Sequence, residues 1–138
     1  MNIKLTLKEM SFDVSMRVDQ PYFDYIFNGI KPVEGRKASP TWSGLKVGDI
    51  MEIYTIEHNE DNGIFHRSFR VMITNINYYL PLEDNKGDGL TRYLENEGLN
   101  KTLPGVTTIE EGRKIYMQWS TQDEIDLYGF MAIHLRVL

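Results

Sequence analysis

The stretch that decides the reading is Gly29-Ile30-Lys31-Pro32-Val33-Glu34-Gly35-Arg36, followed after a loop by Lys46-Val47-Gly48-Asp49. It sets a lysine, a glutamate and an arginine within six residues, directly after a glycine suited to ending a helix. Upstream, Pro21-Tyr22-Phe23-Asp24-Tyr25-Ile26-Phe27-Asn28-Gly29 predicts a short helix, with Pro21 in its first turn and Gly29 at a left-handed stop. Val33 to Arg36 then predicts a short strand. Side chains two apart on a strand share a face, so Glu34 and Arg36 lie side by side, and a turn before the strand can aim Lys31 the same way. Charged groups gathered at a turn-to-strand junction form a candidate polar site. A local ion pair on a structural strand is the plain alternative.

Working outward, the pattern is mostly extended. Ile3, Leu5 and Leu7 alternate with polar residues, and so do Phe12, Val14, Met16 and Val18, with a bend or bulge expected at Ser11 where the phase changes. Asp49 to Ile56 predicts a strand. Asn59 to Gly63 carries the Asn-Gly signal of a hairpin, and Phe65 to Ile76 the returning strand. Leu90 to Glu97 predicts a helix ending at Gly98, and Thr108 with Glu111 the capping box of another reaching Met117 or Trp119. In the last strand Met131, Ile133, Leu135 and Val137 face one way, and Ala132, His134 and Arg136 the other. The expected fold is one α+β domain over residues 1–138: about five to six mostly antiparallel strands curving into a barrel, with short flanking helices.

Composition narrows the function classes. A chain of 138 residues suits a single core, and 41% hydrophobic with 25% charged residues argues against disorder over most of it. A net charge of −5 disfavours nonspecific binding to a polyanion while leaving room for a local basic patch. With no cysteine, thiolate zinc sites and a cysteine nucleophile are excluded. The N-terminus lacks a signal-peptide pattern and no apolar run reaches membrane-spanning length, so an intracellular, cytoplasmic protein without a membrane partner is expected. No cofactor is expected: there is no Walker loop, dinucleotide fingerprint or Gly-x-Ser-x-Gly, and His58, His66 and His134 have no ligand spacing. Asp84 to Gly89 with Glu95 only partly matches a calcium loop, because Lys86 stands where the metal needs an oxygen. Tyr78-Tyr79-Leu80-Pro81 is expected to serve core and turn, and the acidic run Asp123-Glu124-Ile125-Asp126 a solvated face.

Taken in order, Pro21-Tyr22-Phe23 with Ile26, Gly29-Ile30-Lys31, Glu34-Gly35-Arg36, Trp42-Ser43-Gly44-Leu45, Lys46-Val47-Gly48-Asp49, Tyr93 to Leu99, Leu103-Pro104-Gly105, Glu110-Glu111-Gly112 and Tyr128 to Ile133 resemble the ASCH domain (activating signal cointegrator homology) of the PUA-like superfamily. The likeness runs from about residue 14 to 138. It implies a PUA-like barrel with a cleft between barrel and helices, entered from the Gly29 to Arg36 side, and a partner that is RNA or a modified nucleotide, with DNA as an alternative. In the family's amidohydrolase group, which acts on N4-acetylcytidine-like nucleosides, a lysine follows the helix-ending glycine, a threonine lies three residues later and a glutamate sits in the second helical segment. Lys31 and Glu97 match the first and last, but the threonine position is Glu34. A carboxylate cannot replace a hydroxyl nucleophile, so catalysis by Lys31, Glu34 and Glu97 would need Glu34 to hold a water.

The recognition alternative uses the same groups. Glu34 accepts from an exocyclic base amine, Lys31, Arg36, Lys37 and Lys46 meet phosphate, and Trp42 or Tyr22 stacks on a base. Three functions remain open at this stage: an RNA- or nucleotide-binding module, an N4-acetylcytidine-type amidohydrolase, and a protein-interaction domain.

Overall fold

The computed structural model describes residues 14–61, 63–81 and 87–138. The alternation at Ile3 to Leu7, Phe12, the Ser11 bend and positions 84–86 of the calcium-like run lie outside the described residues. In chain order the elements are β1 (Ser15–Arg17), α1 (Tyr22–Phe27), β2 (Val33–Lys37), β3 (Ile50–Asn59), β4 (Gly63–Tyr79), α2 (Gly89–Glu97), α3 (Leu99–Thr102), α4 (Ile109–Tyr116), α5 (Gln122–Tyr128) and β5 (Phe130–Val137).

The five described strands form one sheet in the order β1-β3-β4-β5-β2, curled into a half-barrel with the five short helices beside it. Every pairing is antiparallel except β1 with β3. The expected α+β barrel with flanking helices is the observed architecture. Asn59 opposes Gly63 across the β3–β4 hairpin, and Gly63 takes the positive φ (76°) that the tight turn demands. Strand β4 runs three residues past the expected Ile76 to Tyr79, with a register shift against β5 between Ile73 and Asn75.

Period-two alternation sorts the core onto the two faces of the sheet. Met131 and Ile133 join Met16, Ile53, Val71 and Ile73 in the cluster that also takes Phe23 and Ile26 of α1. Phe130 and Ala132 face the helices, in a second cluster with Val33, Leu90, Tyr93, Leu94 and Ile125. Residues of one strand serve both clusters because successive side chains point to opposite faces.

Two helices were absent from the sequence reading. The run Asp123 to Asp126 lies inside α5, where Ile125 is fully buried, and is only in part a solvated face. Its start is the Thr121-x-x-Glu124 capping box, in which the Thr121 hydroxyl accepts from the Glu124 N–H while the Glu124 carboxylate accepts from the Thr121 N–H. At α4 the Thr108 hydroxyl accepts from the Glu111 N–H at 3.1 Å, a cap from one side.

Helix α2 packs tightly onto the sheet. A Cβ at Gly89 would fall 2.4 Å from the Tyr79 carbonyl oxygen and 2.9 Å from the Phe130 nitrogen, both backbone atoms that cannot swing away. Gly89→Ala should therefore lower stability by about 1–3 kcal/mol. In urea unfolding, the midpoint falls with the m-value unchanged; an unaltered midpoint contradicts this packing.

Candidate functional site

Among the described residues, β1 and β2 are the two ends of the strand order, each paired on one side. Edge strands carry unpaired backbone groups that need covering. Here the seam between them holds a cavity of about 640 Å³, walled by Ser15 and Arg17 of β1 and Glu34 to Lys37 of β2, and by residues of the α1, α3 and α4 regions. The Arg36 guanidinium spans the seam: it donates to the Arg17 carbonyl at 2.8 Å and to the Gly35 carbonyl at 2.9 Å. Side-chain bonds thus join β1 and β2, between which no backbone ladder runs among the described residues.

Lys31 anchors the floor. Gly29 adopts φ +77°, and the N–H groups of Ile30 and Lys31 both donate to the Tyr25 carbonyl, closing α1 and turning the chain inward. The Lys31 side chain is 1% exposed. Its ammonium donates to the Val33 carbonyl at 2.8 Å and to the Thr102 carbonyl of α3, and lies 3.5 Å from Glu34 Oε1. Three acceptors around one amine match the three donors of an ammonium. Burial pushes the Lys31 amine below the ordinary lysine value, and the Glu34 carboxylate offsets part of that shift.

Glu34 is 4% exposed. Its Oε1 accepts from the Gly35 N–H at 2.7 Å and from the Tyr116 hydroxyl at 3.3 Å, while Oε2 lies 3.4 Å from the Arg36 guanidinium. Burial alone would raise the Glu34 carboxyl; Lys31, Arg36 and the Gly35 N–H outweigh it and hold the group below the ordinary carboxylate range. Burial drives the Tyr93 and Tyr116 hydroxyls well above the usual tyrosine value, so they remain donors. Gly35 is required where it stands, since a Cβ there would lie 2.5 Å from the Tyr93 ring and 2.7 Å from that of Phe130.

Of the residues singled out in the sequence, Lys31, Glu34, Arg36, Lys37, Trp42 and Tyr22 line this cavity. Arg36 stacks over Trp42, 5.6 Å from its ring centre, and Lys37 pairs with Glu124 at 2.5 Å. Two predicted residues are elsewhere. Lys46 sits in an exposed turn where its N–H donates to Asp49. Glu97 does not line the cavity. It ends α2 in a second polar cluster, 2.7 Å from His134 Nε2, accepting from Asn77 at 2.9 Å and from the Tyr79 hydroxyl. Burial raises the Glu97 carboxyl, but these partners bring it below its ordinary value. Of the catalytic set implied by the family likeness, Lys31 and Glu34 line this cavity and Glu97 does not. Tyr79 and His134, read as core or scattered, serve this second cluster. Arg17, Tyr116 and Trp119 were missed as cavity residues; only the tertiary fold brings β1 and the end of α4 to the seam.

Lys31 has its donors committed, and Glu34 is bound from both sides. Four cations (Arg17, Lys31, Arg36, Lys37) face two carboxylates (Asp19, Glu34) on the cavity wall, in a chain of net charge −5. No group of three or more metal-ligating side chains occurs among the described residues. Nor is any helix among them long and apolar enough to cross a membrane.

No family model matches the chain, and no curated protein does. Two solved structures are similar over nearly its whole length. The crystal structure of the hypothetical protein PH0355 is 27% identical with a TM-score of 0.71, covering 90% of this chain and 97% of its own. The solution structure of Protein PF0455 from Pyrococcus furiosus is 25% identical with a TM-score of 0.66, covering 92% and 98%. These likenesses support the fold and name no ligand.

Two outcomes follow. Removing the ammonium in Lys31→Met strands the Glu34 charge in the interior, so stability should drop by about 3–5 kcal/mol in chemical unfolding; a loss under about 1 kcal/mol contradicts the assigned bonds. The second outcome concerns pH. Glu34 and Glu97 are more acidic folded than unfolded, so below the ordinary carboxylate range the unfolded chain binds more protons. The stability they contribute is complete above about pH 5 and is lost as pH falls through their folded values. Unfolding measured from pH 7 to pH 3 should show this fall, shallower in Glu34→Gln; identical slopes contradict it.

Proposed function

We propose that the protein is an ASCH-type module that binds RNA or a nucleotide in the seam cavity. The observation that carries the reading is a buried carboxylate, Glu34, in a cavity whose wall also carries four cations (Arg17, Lys31, Arg36, Lys37), the aromatic rings of Tyr22 and Trp42, and one further carboxylate, Asp19. A carboxylate accepts hydrogen bonds from the exocyclic amine of a base, as in reading cytosine. Arg17 and Lys37 supply charge for phosphate, and Tyr22 and Trp42 supply ring surface. Arg17 and Lys37 are ion-paired with Asp19 and Glu124, so a phosphate would take their charge in exchange for those carboxylates. The nucleotide partner is what the likeness to the ASCH domain implies, and the Lys31, Glu34 and Arg36 positions of that likeness line the cavity wall.

The test is fluorescence anisotropy of a labelled single-stranded RNA titrated with the protein at several salt concentrations. Affinity should fall as salt rises. Arg17→Gln and Lys37→Gln should each weaken binding evenly across sequences and reduce the salt slope by about one unit. Glu34→Gln should instead change the base preference. Absence of binding at low salt would overturn the reading and favour a protein-interaction role. Release of acetate from N4-acetylcytidine would overturn it in favour of the hydrolase.

A further inference from the structure

Of the exposed large apolar side chains among the described residues, Trp119 alone lines the cavity, and it is 58% exposed. Its backbone is nonetheless held firmly. Helix α4 ends at Tyr116, whose hydroxyl reaches Glu34, and the turn after it is closed by bonds from Gln118 N–H to the Ile115 carbonyl and Trp119 N–H to the Tyr116 carbonyl. The Thr121–Glu124 capping box begins α5 directly afterwards. The segment carrying the indole is thus tied at both ends, while among the described residues no other ring or cation stacks on it. Trp42 differs: it is packed against the barrel core and has the Arg36 guanidinium over its ring. A large apolar ring fixed in place yet open to water, at the edge of a cationic cavity, offers a free face for another flat ring.

Resting on the nucleotide reading above, we infer that Trp119 stacks an unpaired base next to the nucleotide held in the cavity, so that the ligand is a single strand longer than one nucleotide. The base on Trp119 lies at the edge of the cavity, and the phosphate joining it to the inner nucleotide meets Arg17 and Lys37. A single strand is favoured over a duplex, whose interior bases already stack on both neighbours and present no free face. RNA and DNA strands share this chemistry, and the 2′-hydroxyl is what separates them.

The experiment measures binding of short single-stranded RNA, DNA of the same sequence, duplex RNA and nucleoside 5′-monophosphates to the wild type, Trp119→Ala, Trp119→Phe and Glu34→Gln. Trp119→Ala should weaken strand binding about tenfold or more and monophosphate binding by a clearly smaller factor, and Trp119→Phe should retain most of the affinity. Wild type should prefer single strands to the duplex. Preference for RNA over DNA, or none, fits equally, since stacking needs only the base. Strand binding that is intact in Trp119→Ala but altered in Glu34→Gln overturns the Trp119 assignment and leaves the nucleotide reading standing. Equal losses for strands and monophosphates in Trp119→Ala mark a merely structural role and overturn it too. If wild type binds neither strands nor monophosphates, the nucleotide reading itself fails.

Discussion

The buried ammonium of Lys31 is the constraint on which the rest depends. One side chain bonds the start of the edge strand β2 through the Val33 carbonyl, the helix layer through the Thr102 carbonyl, and the site through Glu34. Burying a charge is costly unless its partners are well placed, so this arrangement holds only when barrel edge and helices dock in one register. It makes a polar site out of what would be a fragile packing defect. The carboxylate is held ionised in the interior, and the orientation of Glu34 is fixed before any ligand arrives.

The second constraint is that, among the described residues, no backbone pairing joins β1 to β2. A barrel closed by backbone pairing would have no room between β1 and β2. Here Gly35 lets Tyr93 and Phe130 crowd against one side of β2, and Arg36 bridges to β1. The cavity is what remains between two edges joined by side chains. The Glu97–His134 cluster serves another purpose: it joins the end of α2 to β4 and β5 through fully engaged groups, and it presents no charge to the seam.

Much of this was legible in the sequence where the signal is local. The glycine stop at Gly29, the Asn-Gly hairpin and the alternation of Met131, Ala132 and Ile133 each reflect a backbone or face requirement that neighbouring residues carry by themselves. The grouping of Lys31, Glu34 and Arg36 was legible for the same reason, being set by one turn and one strand. The helix α5 was hidden because its acidic residues masked a buried Ile125, although the Thr121-x-x-Glu124 box marked its start. Glu97 was misplaced, and Arg17 and Trp119 overlooked, because their positions depend on how α2 to α5 dock on the sheet. No spacing along the chain records that docking.

The central claim is that the seam beside Glu34 is where this protein meets its ligand. The most direct measurement is amide and indole nitrogen NMR of the labelled protein titrated with a short single-stranded RNA. The account predicts shifts concentrated at Gly35, Arg36, Lys37 and the Trp119 indole, with the resonances of Asn77 and His134 unmoved. Shifts gathered around Glu97 and His134, with the seam residues silent, would contradict it.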